Sequence, residues 1–200
     1  MQALRDLLKP ERLTAIVDIG GADLQGKPPY QRMLDEGMCT ADAIAFNIHT
    51  YDPQQSPLDI VDLLKITGDF PLSLLQAGPD KVAAHVSTAF FPTYSFGPVD
   101  AAMREMGFIL HCFADCYIVP VLSKINVPHP DPHQIAQVDL FYVRDFTQDM
   151  GVEQWKHLAM LAHHVCGSYD LAMLAVSKLS ENGAIDGDAP ARYRRILETL

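Results

Sequence analysis

The chain has 200 residues, enough to bury a substantial core and few enough to form one domain. Hydrophobic residues make up 48% and charged residues 20%, the balance of a folded globular protein rather than a disordered one. The formal net charge is -10 with no block of Lys or Arg, so neither a nucleic-acid groove nor an anionic membrane surface is an expected partner.

The chain opens on MQALRDLLKPERL, an amphipathic stretch with acids that lacks the basic start and apolar centre of a signal peptide. A short helix is predicted from Met1 to Leu8, stopped by Pro10. Ala15 to Ile19 is apolar apart from Asp18, which suits a strand buried on both faces, and Gly20 and Gly21 end it. After Lys27-Pro28-Pro29, a helix is predicted from Tyr30 to Glu36, with Gly37 in the C-cap position. Further strands are predicted over Ala43–Phe46, Val61–Ile66 and Lys81–Ser87, and a helix over Pro98–Met106. Phe108–Phe113 and Ile118–Leu122 read as two strands joined by a tight turn, and Val138–Val143 as a further strand. TYDPQQSP and PHPDPHQ read as loops. The end is helical from about residue 152: Trp155, Leu158, Ala159, Ala162 and Val165 share a face. Gly167 interrupts, Ser168 and Asp170 suit the start of another helix, and Leu171 to Leu179 continues it. Strands alternating with helices predict one α/β domain, 1–200, with a largely parallel sheet and a C-terminal helical pair. No apolar run is long enough to span a bilayer, and Cys39, Cys112, Cys116 and Cys166 form no C-x-x-C pair, so a reducing cytoplasm is expected.

Several segments in order resemble the FkbM-type family of S-adenosylmethionine-dependent methyltransferases. They are VDIGGADLQGKPPYQRMLDEG (Val17 to Gly37), LLKI (Leu63 to Ile66), FFPTY followed by MGFILHCF, DLFYVRDF ending at Phe146, and AHHVCGSYDLAM ending at Met173. The resemblance runs from about Glu11 to Val176. It implies a Rossmann-like methyltransferase sheet with the cofactor across the carboxyl ends of the parallel strands. It also implies glycines after the first strand that admit the cofactor, and an acid after the second strand that accepts both ribose hydroxyls. On that basis Asp18, Gly20, Gly21 and Asn47 are the candidate cofactor-binding residues. The other reading of the same four is a strand end and turn kept for folding.

The chain departs from the family pattern at several points. Asn47 stands where the ribose acid is expected and cannot present two equivalent anionic acceptors. Asp23 stands in place of a neutral residue, Thr67-Gly68-Asp69-Phe70 follows LLKI where the family has Asp, Gln-Gly and an acid, and Ser87 replaces a further acid. Thirteen residues (48–60) separate Asn47 from Val61, about the length of one parallel crossover. A reduced sheet is therefore expected, with no S-adenosylmethionine bound and catalysis lost. The domain would then serve binding or assembly, as a homodimer or with a protein partner. The alternative is an active O-methyltransferase on a sugar or secondary-metabolite hydroxyl, with S-adenosylmethionine as cofactor and His85 or Asp69 as a base.

No catalytic residue is assigned and no metal site is expected. His129, Asp131 and His133 lie in a proline-rich loop; His163, His164 and Cys166 cluster on the late helix, where the two histidines are neighbours about 100° apart. His163 reads instead as a structural hydrogen-bonding residue. His111 and Cys112, adjacent on a strand, are expected to face opposite sides, which argues against Cys–His chemistry with Asp115 and Cys116. Phe90, Phe91, Tyr94 and Phe96 could line a substrate pocket, fill the core or face a partner.

Overall fold

The computed structural model describes residues 2–19, 28–44, 61–66, 86–93, 96–120, 134–147 and 150–200. Their elements are α1 (Gln2–Leu8), β1 (Thr14–Ile19), α2 (Gln31–Asp35), β2 (Cys39–Ile44), β3 (Val61–Ile66), β4 (Val86–Thr93), α3 (Phe96–Glu105), β5 (Phe108–Val119) and β6 (Gln134–Arg144). The C-terminal part comprises α4 (Val152–Leu161), a π-helical turn (Ala162–Cys166), α5 (Tyr169–Glu181) and α6 (Ala189–Leu197).

The six strands form one sheet in the order β2-β1-β3-β4-β6-β5. β1 pairs in parallel with β2 on one side and β3 on the other, and β4 continues in parallel beyond β3. β6 alone is reversed, antiparallel to both β4 and β5. From β1 the chain steps out to β2 on one side and then to β3 on the other. The carboxyl ends of β1 and β3 therefore flank a topological switch point, where open α/β sheets bind their ligands. This is the Rossmann-like sheet with flanking helices expected from the sequence, made mixed by the one reversed strand.

Helices cover both sheet faces, which explains why all six residues of β3 are buried. Ile16, Leu63, Phe141 and Val143 pack against α1, α4, α5 and α6, with Trp155, Leu158, Val176 and Tyr193 at the contact. Val17, Leu64, Ala89 and Tyr142 face Val99 and Met103 of α3. The C-terminal pair is α4 and α5. α6 follows with Pro190 in its first turn and Tyr193 driven fully into the core. Among the described residues no helix is long and apolar enough to cross a membrane.

Several boundaries differ from expectation, β2, β4 and β5 most instructively. β2 starts at Cys39 rather than Ala43, because Gly37 (φ +63°) closes α2 and Thr14 N–H already bonds the Met38 carbonyl. β4 spans Val86–Thr93, taking in the FFPT segment, whose proline argues against a strand and here sits one residue from its end. Lys81 to His85 lie outside the described residues. β5 is one strand of 12 residues, not two, with three register shifts against β6 in place of a turn.

The amino-terminal ends of β1 and β3 are tied by buried charge. The Asp62 carboxylate is fully buried and accepts two bonds from Arg12 (2.6 and 2.9 Å) and one from Ala15 N–H (2.8 Å). His157 of α4, also fully buried, meets the Thr14 hydroxyl through Nδ1 at 3.0 Å, which locks the helix to the first strand. The three donors to Asp62 matter because a lone buried carboxylate is strongly unfavourable.

Three histidines lie in the C-terminal layer, and burial pushes all of them towards the neutral form. His157 and His163 are lowered, and His164 is brought down to about 4. The unfolded chain, with histidine near 6.5, binds these protons first, so folding stability falls as the pH drops from about 6.5 towards 4. Urea midpoints at stepped pH should decline across that window, and His164→Leu should flatten the decline.

Candidate functional site

Asp18 lies one residue before the end of β1, and Lys65 one residue before the end of β3. The register places them directly opposite each other at the switch point. Alternation puts both on the Ile16 and Leu63 face. Lys65 is 1% exposed and Asp18 is 7% exposed. Nζ lies 3.2 Å from Asp18 Oδ1 and 3.0 Å from Oδ2, a forked contact to both oxygens. The Tyr30 hydroxyl, entering from the start of α2, donates to Oδ2 at 2.5 Å. The PPY loop and helix that follow β1 are thereby anchored to the end of β1 itself.

This triad neutralises its own charge. Two ions this deeply buried require close pairing and further hydrogen bonds, and the phenol supplies one of them. The arrangement holds the mouth of the switch point in a fixed shape and leaves the Asp18 carboxylate already committed to protein groups. Of the four candidate cofactor residues, Asp18 is the one described. Gly20, Gly21 and Asn47 lie outside the described residues, as do the 48–60 connection, Asp69, His85 and the His129–His133 loop.

Lys65 and Tyr30 were not singled out by sequence reasoning as site residues. Their signal is nevertheless present. The acid in β1 and the lysine near the end of β3 both need a partner if the strands are buried.

A second cluster corrects an expectation. Leu110 pairs with Tyr142 and Cys112 with Phe141, so His111 is the extra residue of a β-bulge. Strict alternation fails there, and His111 and Cys112 come to one side. The π-helical turn delivers Cys166 to the same place, with Cys112 Sγ and Cys166 Sγ 3.2 Å apart. A ring nitrogen of His111 and both sulfurs all lie within 4.8 Å of one another. Ser168 occupies the N-cap position of α5 but makes no side-chain cap bond. Its hydroxyl donates to Asp170 at 2.6 Å and lies 2.7 Å from His111 Nε2. Burial lowers the pKa of His111.

The π-turn also brings the rings of His163 and His164 to 4.6 Å, edge to face, closer than ordinary helical spacing suggests. His163 Nδ1 meets the Tyr193 hydroxyl at 2.9 Å, the structural role expected for it. Among the aromatic set, Phe96 is 40% exposed and packs on Phe113 with ring centroids 5.7 Å apart, so it lies at the surface. Phe90 and Phe91 belong to β4, and Tyr94 is outside the described residues.

Lys65→Met should leave Asp18 buried without its counter-ion and lower the unfolding free energy by about 3–5 kcal/mol. Tyr30→Phe, which removes one donor to that carboxylate, should cost about 1–3 kcal/mol. The double variant Asp18→Asn/Lys65→Met should recover part of the first loss. Urea denaturation of the four proteins checks all three expectations.

No protein-family profile matches the chain, and no curated protein matches it. Among solved structures it is similar to a protein of the NADB-Rossmann superfamily from Streptococcus agalactiae, with 13% identity, TM-score 0.35, and 98% of this chain and 96% of that chain covered. It is similar to TrmK of M. capricolum, solved with S-adenosyl-homocysteine, with 11% identity, TM-score 0.36, and 98% and 96% covered. A third is the S-adenosylmethionine-dependent O-methyltransferase from Thermotoga maritima, with 11% identity, TM-score 0.34, and 74% and 66% covered. The fold assignment rests on the strand order and register of this chain, not on these likenesses.

Proposed function

We propose that the chain is a methyltransferase-like domain that no longer transfers methyl groups and serves binding or assembly. The observation that carries this reading is the state of Asp18. Both of its oxygens are taken by Lys65 and Tyr30 within a buried triad, so the carboxylate at the switch point supports the fold rather than reaching for a ligand. The sequence adds Asn47 in place of the ribose acid and Thr67 in place of the acid after β3. Together these remove the anionic acceptors that would fix the ribose and orient the cofactor.

Assembly through a second copy is supported by the outer half of β5. This strand has β6 on one side and, among the described residues, no strand on the other. Its distal part presents Phe113 (50% exposed), Tyr117 (57%) and Ile118 (43%), with Ile135 of β6 beside them (59%). An edge of this kind invites strand pairing, and two copies related by a two-fold axis can bring it together antiparallel.

Two measurements test the proposal. Isothermal titration with S-adenosylmethionine should give no heat of binding, and micromolar affinity would restore the reading of an active O-methyltransferase. Light scattering after size exclusion should give twice the chain mass. Tyr117→Lys combined with Ile118→Lys should return the protein to a monomer with an unchanged circular dichroism spectrum.

A further inference from the structure

We propose that His111, Cys112 and Cys166 form a binding site for a zinc-class metal ion, clipping the β5 edge of the sheet to the turn between α4 and α5. Two thiolates and one imidazole are a donor set that holds zinc and leaves a fourth position for water. Here the three donors come from two irregular backbone segments. The bulge in β5 brings His111 and Cys112 to one side, and the π-helical turn carries Cys166 to meet them. Bulges and π-turns recur where a protein re-aims side chains for function. A ring nitrogen and both sulfurs lie within 4.8 Å of one another.

The surrounding hydrogen bonds suit a metal ligand. Ser168 gives its hydroxyl proton to Asp170 at 2.6 Å, so its oxygen accepts from His111 Nε2–H at 2.7 Å. That places the His111 ring proton on Nε2. Ligating histidines are oriented by this kind of outer contact. Cys112 Sγ and Cys166 Sγ share one S–H···S contact at 3.2 Å. Two sulfurs about 2.3 Å from one tetrahedral zinc sit about 3.8 Å apart, so binding must spread the present 3.2 Å contact by about half an ångström. Cys116, four positions along the same strand and exposed, takes no part in the cluster.

This inference concerns the opposite edge of the sheet from β2 and stands independently of whether the switch point binds a cofactor. The test uses the full chain, reduced and stripped of metal, titrated with cobalt(II) as a spectroscopic probe and then with zinc(II) in competition. One equivalent of cobalt should produce a thiolate-to-cobalt charge-transfer band, and zinc should abolish it. Cys112→Ser and Cys166→Ser should each remove the two-thiolate spectrum, while Cys116→Ser should keep it. Ser168→Ala should weaken binding by about 10–100-fold. A wild-type chain that gives no charge-transfer band overturns the proposal without recourse to any variant. So does a band that survives both Cys112→Ser and Cys166→Ser, or a Cys112–Cys166 disulfide whose reduced form takes up no metal.

Discussion

The pairing of buried charge between β1 and β3 is the constraint on which the central sheet depends. At the amino-terminal ends Arg12 and Ala15 N–H close on Asp62. At the carboxyl ends Lys65 closes on Asp18. Two buried strands of six residues could slide against each other at little cost if they carried only aliphatic side chains. Here a slip of one residue would turn Lys65 into the Leu64 face among apolar side chains and strand Asp18 without a cation. The ion pairs therefore act first on register. Their net contribution to stability is smaller than the penalty for mismatching them.

That constraint also governs what surrounds the switch point. Tyr30 reaches Asp18 from the loop that follows β1, so the start of α2, and with it the approach to β2, is held by the same carboxylate. On the other side of the sheet centre, His157 joins Thr14 to α4, and Glu153 on the preceding turn of that helix accepts from Glu11 N–H at 3.0 Å. One pair of strands thus fixes the first helix–strand unit and the C-terminal helical layer together.

How much of this was legible depended on whether the backbone kept a regular period. β1 and β3 emerged cleanly because aliphatic runs bounded by glycine or loop residues leave little choice of element. The α/β class followed from the alternation of strands and helices, and the Rossmann-like sheet from the family resemblance. The Asp18–Lys65 pairing was present in the residues but required the register, which no single strand contains. In β5 the reading failed for a different reason. FILHCFADCYIV contains polar residues that suggested a turn near Asp115, whereas the strand runs through and spends its irregularity on register shifts against β6. Each shift resets which face a residue occupies, so the opposite-face expectation for His111 and Cys112 could not hold. The π-turn is equally silent in sequence, because inserting one residue into a helix leaves the apolar composition of AHHVC unchanged.

The self-sufficiency of the Asp18 triad bears on how such a domain can change function. Where a strand-end carboxylate depends on a bound ligand for its partners, loss of the ligand leaves a buried charge unsatisfied and threatens the fold. Here the partners are internal, a lysine from the neighbouring strand and a phenol from the following helix. A change in ligand-facing residues would then leave the buried charge of the sheet satisfied. The far edge of the sheet is of a different kind. There β5 carries both an exposed apolar strip and, on its more buried half, a set of converging nitrogen and sulfur donors.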